Sequence, residues 1–324
     1  LKVNIMGEAA NIIGAKKEGQ MLSYVPLGKI REVRTKISAP HLRAKILSDI
    51  FRLNTLYMIR YTGSGHIGSS FSSIDIMLWL WQEEMKNPNE KDLDPSDIFF
   101  SSKGHDSPAL YSILIGLEKI PFDLIHRLRR LGGLQGHPDV SMSHIATNTG
   151  SLGMGISKAR GMAQAKRLKG KGGRIYVLTG DGELEEGQIW ESLQPTANQK
   201  FSEITVIVDN NKIQSDLKVE ETSSLGDLEK KFSAFGWEVK RCDGHDFKAI
   251  SSILEGFKKI TDRPQILIAD TLKGAGVSFM TEFADDGFYK FHSGAPSYEQ
   301  YLKAFDEIRD RIDASLLSAG LSPL

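Results

Sequence analysis

Residues 174–183 read Arg-Ile-Tyr-Val-Leu-Thr-Gly-Asp-Gly-Glu, and residues 204–211 read Ile-Thr-Val-Ile-Val-Asp-Asn-Asn. Each is a short apolar run, rich in β-branched residues, that ends in a polar cluster. Runs of this kind read as strands buried on both faces. Residues 98–100 and 265–269 have the same character. Helical patterns fall between these runs, over residues 107–117, 122–131, 153–168, 185–197 and 247–259. Two more helices precede them, one from Ile46 through Ile50, Leu53 and Tyr57, the other over residues 72–85 before Asn87-Pro88-Asn89 breaks it. A terminal helix is expected over residues 298–317. Strands alternating with helices imply an α/β fold, with a mostly parallel sheet and helices on both faces.

In an open parallel sheet, ligands bind beyond the carboxyl ends of the strands. The two opening runs place Asp181 and Asn211 there. Together these offer hard oxygen ligands to Mg²⁺ or Ca²⁺. The alternative is a pair of plain turns, since Gly, Asp and Asn dominate turns. The histidines give an independent signal, because four of the eight (His66, His105, His137 and His245) directly follow a glycine. Glycine lets backbone approach a ligand closely, and imidazole exchanges protons near neutrality. Residues 63–68, Gly-Ser-Gly-His-Ile-Gly, match the dinucleotide fingerprint but follow a helix, which is the wrong context. Residues 169–173, Lys-Gly-Lys-Gly-Gly, lack phosphate-loop spacing and read as a turn. Lys273, after the last strand, stands where it could reach an anion at the same sheet edge.

Composition narrows the function class. The 324 residues carry 41 Lys plus Arg and 41 Asp plus Glu. That balance argues against nucleic acid or a membrane surface as a partner, since both select an excess of basic residues. Cys242 is the only cysteine, so an internal disulfide or a cysteine-based zinc cluster is excluded. A reducing, cytoplasmic location is expected. Apolar stretches are short, as at residues 76–81, far below the ~18 residues of a membrane span. Residues 1–40 hold seven Lys/Arg against three Glu and are expected to form a loosely docked N-terminal arm, a transit peptide being the alternative. Residues 41–324 would then form one α/β domain.

The order of these motifs resembles the N-terminal, diphosphate-binding portion of transketolase, a thiamine-diphosphate enzyme. The resemblance spans roughly residues 42–317. It runs through Gly65-His66-Ile67-Gly68-Ser69, Ser102-Lys103-Gly104-His105, Leu134-Gln135-Gly136-His137-Pro138 and Thr149-Gly150-Ser151-Leu152-Gly153. It continues with Gly180-Asp181-Gly182-Glu183, Asn210-Asn211, Lys273-Gly274-Ala275-Gly276 and His292-Ser293-Gly294-Ala295-Pro296. A Gly-Asp-Gly and Asn-Asn pair separated by 27 residues marks the thiamine-diphosphate superfamily, and the Gly-His elements narrow it.

The resemblance implies a thiamine-diphosphate-binding fold with thiamine diphosphate and Mg²⁺ (or Ca²⁺ or Mn²⁺) as cofactors. Asp181, Asn211 and the Ile213 carbonyl would ligate the metal. Ser69, His105, Gly150, Leu152, Gly182, Glu183, Asn211, Gln214, Lys273 and His292 would contact the cofactor, and Lys103 matches a further cofactor-site position. His66, His105, His137 and His292 would serve the sugar substrate, with Glu186 near the subunit interface. The implied reaction moves a two-carbon ketol unit from a ketose phosphate to an aldose phosphate.

In this family a glutamate on a pyrimidine-binding domain activates the cofactor. Only 32 residues follow His292, too few for that domain. The resemblance therefore implies a split enzyme, a heterotetramer in which a C-terminal transketolase subunit supplies the pyrimidine half. Alternatives are a deoxyxylulose-phosphate synthase-like or specialised sugar transketolase subunit, and a non-catalytic cofactor-binding regulatory subunit.

Overall fold

A computed structural model describes residues 11–324; the first ten residues of the expected arm lie outside the described residues. The chain opens with a hairpin of β1 (Ile13–Lys17) and β2 (Gln20–Tyr24), then α1 (Leu27–Lys36), α2 (Pro40–Thr62) and α3 (Ile67–Trp79), which ends in a π-helical turn. Next come β3 (Ile98–Ser101), α4 (Ser107–Gly116), α5 (Gly155–Leu168), β4 (Ile175–Gly180) and α6 (Gly187–Asn198). The second half holds β5 (Ile204–Asn210), a small ribbon of β6 (Ile213–Gln214) and β7 (Leu217–Lys218), α7 (Val219–Ser223) and α8 (Leu228–Ala234). It closes with β8 (Glu238–Asp243), α9 (Phe247–Phe257), β9 (Gln265–Asp270) and α10 (Tyr298–Ser318).

The main sheet has the order β3-β4-β5-β9-β8 and is parallel throughout. Side chains alternate across it, as the strand period of two requires. Tyr176, Leu178, Ile207 and Leu267 enter a core shared with α2, α3, α4, α9 and α10. Val177, Val206, Val208, Ile266 and Ile268 enter a second core beneath α5, α6 and α8. Helices therefore cover both faces, and the carboxyl ends of β3, β4, β5 and β9 converge on one edge.

Two expectations are corrected, and one strand is added. The described part of residues 1–40 is not loosely docked: Val25, Ile30 and Val33 are fully buried. Asn54 of α2 brackets Val25, accepting from its N–H at 2.8 Å and donating to its carbonyl at 3.1 Å. The helix expected over residues 122–131 stops after one 3₁₀ turn, Phe122–His126. Beyond it Leu128 bridges to Leu134, and Arg129 takes a left-handed φ of 51°, which no helix accommodates. Finally, β8 is a strand that the sequence pattern does not announce; it is a polar edge strand, Glu-Val-Lys-Arg-Cys-Asp.

Candidate active site

Four strand ends build a pocket of about 160 Å³. Beyond β4, Asp181 lies buried, its carboxylate accepting from the Gly182 N–H at 2.8 Å and from the Lys212 N–H. Burial and the neighbouring Asp209 carboxylate push its pKa up to about 7. Beyond β5, Asn211 donates through Nδ2 to Asp209 at 3.2 Å, and its Oδ1 accepts from the Ile213 N–H at 3.1 Å. After β3, Lys103 enters the floor and pairs with Asp209 at 2.5 Å and Asp106 at 3.4 Å. Burial opposes the Lys103 charge, but the two carboxylates outweigh it and raise its pKa. After β9, Lys273 places Nζ 2.9 Å from the Ile213 carbonyl and 3.1 Å from that of Ser215. Burial pulls this ammonium down to about 8.

Four imidazoles stand together above this floor. The His66 ring centroid lies 5.2 Å from His105, 5.3 Å from His292 and 6.5 Å from His137, and His105 lies 5.9 Å from His292. Burial, reinforced by Arg129, His137 and Lys273, lowers the His66 pKa to about 4; burial and Lys273 do the same for His292. His105 and His137 are lowered too, again chiefly by burial. At neutral pH the cluster is a set of uncharged imidazoles, each able to donate from one nitrogen and accept at the other.

The site residues expected from the sequence divide into three groups. Ser69, His105, Leu152, Asp181, Gly182, Glu183, Asn211, Ile213, Gln214, Lys273 and His292 line the pocket. His66 and His137 join through the ring cluster, and Gly150 lies against His137, where an added Cβ would be 2.8 Å from the ring. Glu186 instead is exposed beside Gly153, at the start of α6 and off the pocket lining. Glu183 is consumed by structure: its carboxylate accepts from the Ser102 hydroxyl, from the Gly153 N–H at 2.8 Å and from the Gly180 N–H at 3.2 Å. Sequence reading missed Asp209, which sits in the same strand tip as Asn211 and anchors both Lys103 and Asn211. It also missed Arg129, whose guanidinium approaches His66 Nδ1 at 3.5 Å.

The pocket fits the implied cofactors. Ser69 Oγ and His292 Nδ1 belong to residues that line it, are buried and have no hydrogen-bond partner. Orphaned polar atoms of this kind call for a ligand or water. Asp181 is a buried carboxylate whose charge lacks a direct cationic partner, which a divalent ion would relieve. Among the described residues no group of three His, Cys, Asp or Glu is placed to hold a metal. The donor set on offer is one carboxylate, one amide and one main-chain carbonyl, all oxygen, as Mg²⁺ and Ca²⁺ prefer. The Ile213 carbonyl already accepts from Lys273, but a carbonyl has a second lone pair.

Comparison with known proteins agrees with this geometry. Residues 43–287 match the family model "Transketolase, thiamine diphosphate binding domain". The chain is 34% identical over 271 residues to an apulose-4-phosphate transketolase subunit of Phocaeicola vulgatus, covering 83% of this chain and 95% of that one. It is 37% identical over 235 residues to the 6-deoxy-6-sulfo-D-fructose transketolase subunit SqwG of Clostridium sp. (strain MSTE9), covering 72% and 86%. Among solved structures, transketolase from Campylobacter jejuni superposes with a TM-score of 0.71 at 25% identity, over 89% of this chain. The chain spans only 44% of that transketolase. The strand-tip oxygens, the imidazole cluster and these similarities lead to one conclusion: the chain belongs to the transketolase family, and its residues 43–287 match the thiamine-diphosphate-binding domain.

Proposed function

We propose that this chain is the diphosphate-binding subunit of a split transketolase, working with a second chain that carries the pyrimidine-binding half. The observation that carries the reading is the conjunction, at one sheet edge, of Asp181 and Asn211 with a cluster of four histidines. Two relatives that this chain covers over most of their length are themselves named as subunits, which supports a partnered enzyme. Asp181, Asn211 and the Ile213 carbonyl would hold Mg²⁺; Ser69, Gln214, Lys273 and His292 would hold the cofactor beside it. Thiamine diphosphate, when bound, supplies the carbon nucleophile and the electron sink for carbon–carbon bond cleavage.

The remaining work falls to this chain's side chains. His66, His105, His137 and His292 are held mostly uncharged by burial, so each can accept a hydrogen bond from a sugar hydroxyl at one ring nitrogen and donate one at the other. Their burial keeps them neutral beside the Lys103 and Lys273 cations. Lys103 balances Asp209, which fixes Asn211 through Nδ2 and leaves the amide oxygen turned from that carboxylate. Exposed Leu152, at the pocket rim, offers apolar surface to the cofactor or to the partner. We place the pair in the cytoplasm, on the strength of the single Cys242; among the described residues no helix is long and apolar enough to cross a membrane. The substrate class is a ketose phosphate or similarly anionic ketose as donor and an aldose phosphate as acceptor.

The test is reconstitution. With thiamine diphosphate and Mg²⁺, this chain mixed with its pyrimidine-half partner should transfer ketol units, and neither chain alone should. Equal rates from this chain alone would refute the split reading.

A further inference from the structure

Of the four glycine–histidine pairs, three bring their rings to the pocket and the fourth, Gly244-His245, does not. Its place is nonetheless specific. His245 Nε2 lies 3.0 Å from the main-chain nitrogen of Leu272, and Nδ1 lies 2.7 Å from Asp75 Oδ2. A main-chain N–H only donates, so Nε2 must be the unprotonated acceptor and Nδ1 must carry the hydrogen that goes to Asp75. One tautomer is thereby selected. Asp75 is itself buried and clamped by Arg52, which also reaches Asp49 at 3.3 Å and the Phe71 carbonyl at 3.4 Å. His245 thus hangs the loop after β9 on a buried ion network between α2 and α3.

That loop carries Lys273. Gly244 lies so close to the end of β9 that a Cβ there would come within 2.4 Å of Thr271 Cγ2. On the far side, the Gly274 N–H donates to the Gly68 carbonyl at 2.9 Å, and a Cβ on Gly276 would meet Arg52 Cδ at 2.7 Å. Gly68, the last glycine of the misplaced dinucleotide fingerprint, leaves room for the Lys273 stem, whose Cγ would lie 3.0 Å from an added Cβ. We propose that His245 is a positioning residue for the cofactor site: through the Leu272 amide it fixes the 271–276 loop and so aims the Lys273 ammonium at the Ile213 and Ser215 carbonyls. The proposal rests on reading the pocket as a cofactor and metal site, and it assigns a purpose to the one Gly-His pair that the site does not absorb.

The experiment uses the full chain with its partner half and two variants. His245→Phe keeps a ring and removes both hydrogen bonds; His245→Gln keeps an acceptor at the distal position. Two quantities are read: the calorimetric Kd for thiamine diphosphate with Mg²⁺, and hydrogen exchange at the Leu272 amide. His245→Phe should weaken cofactor binding about tenfold and speed Leu272 exchange by a similar factor, the consequence of losing two hydrogen bonds, one of them to the buried Asp75 carboxylate. His245→Gln should stay within about threefold of wild type on both. A folded His245→Phe protein with wild-type Kd would overturn the proposal, as would a His245→Gln protein as weak as His245→Phe. If the wild-type protein bound no cofactor, the site reading would fall, and Leu272 exchange alone would then decide whether His245 holds the loop.

Discussion

Replacing Lys103 by methionine tests the floor of the site. The side chain is 2% exposed and its two partners, Asp209 and Asp106, are fully buried. Methionine nearly preserves the volume but removes the ammonium, leaving two carboxylates with no cation between them. Asp209 would keep hydrogen bonds from Ser72 at 2.7 Å, from Asn211 at 3.2 Å and from Thr271. Asp106 would keep those from Ser101 at 2.7 Å and Ser73 at 3.3 Å. These bonds stabilise the charges but do not neutralise them. Stranding a buried charge costs about 3–5 kcal/mol, a large share of the ~5–15 kcal/mol that folding usually yields. Urea denaturation followed by tryptophan fluorescence should show a lower midpoint with an unchanged slope. Adding Asp209→Asn should restore about 2 kcal/mol, because the double variant removes one of the two uncompensated charges, the one that Lys103 pairs with more closely. A loss below ~1 kcal/mol for Lys103→Met, or strict additivity in the double variant, would refute the assignment of this pair as the electrostatic support of the floor.

Two further outcomes follow from the same geometry. Gly150 has φ +118° and an alanine Cβ there would lie 2.8 Å from His137 Cδ2, so Gly150→Ala should cost about 1–3 kcal/mol in stability and displace His137. Reconstituted ketol transfer should fall about tenfold or more in kcat/KM, while a Gly161→Ala control, in open space on α5, should be silent. The second concerns acid. The folded pKa of His66, about 4, lies below its unfolded value near 6.5, so its neutral form favours folding above pH 6.5 and that stability is lost as pH falls from 6.5 through 4. His66→Asn lacks this titration and should therefore gain stability relative to wild type over that window, as read by thermal melts at pH 7 and pH 4.5; a pH-independent difference would contradict it.

What the sequence disclosed depended on how local the signal was. β4 and β5 are buried on both faces, so their runs are continuous and their polar tips stand out. β8 is an edge strand with mostly charged residues, and nothing in its pattern separates it from a loop. Residues 122–131 carry apolar side chains at helical spacing, yet Leu128 bridges Leu134 and ends the turn, a contact no periodicity reveals. In the site, Asp181 and Asn211 were legible because strand tips determine their placement. The Gly-His signal located three of four histidines but also selected His245, because a glycine before histidine marks close backbone approach, whatever lies on the other side. Lys103 with Asp209 was not legible as a pair, because its partners are 106 residues apart and meet only in the folded chain.

The most direct test of the cofactor and metal assignment is calorimetric titration of thiamine diphosphate into this chain with its partner half, with and without Mg²⁺, for wild type and Asp181→Ala. The expected result is saturable binding that requires the metal and is lost in Asp181→Ala, with the Asp181→Ala chain still folded. Binding of equal strength without metal, or binding that Asp181→Ala leaves untouched, would contradict it.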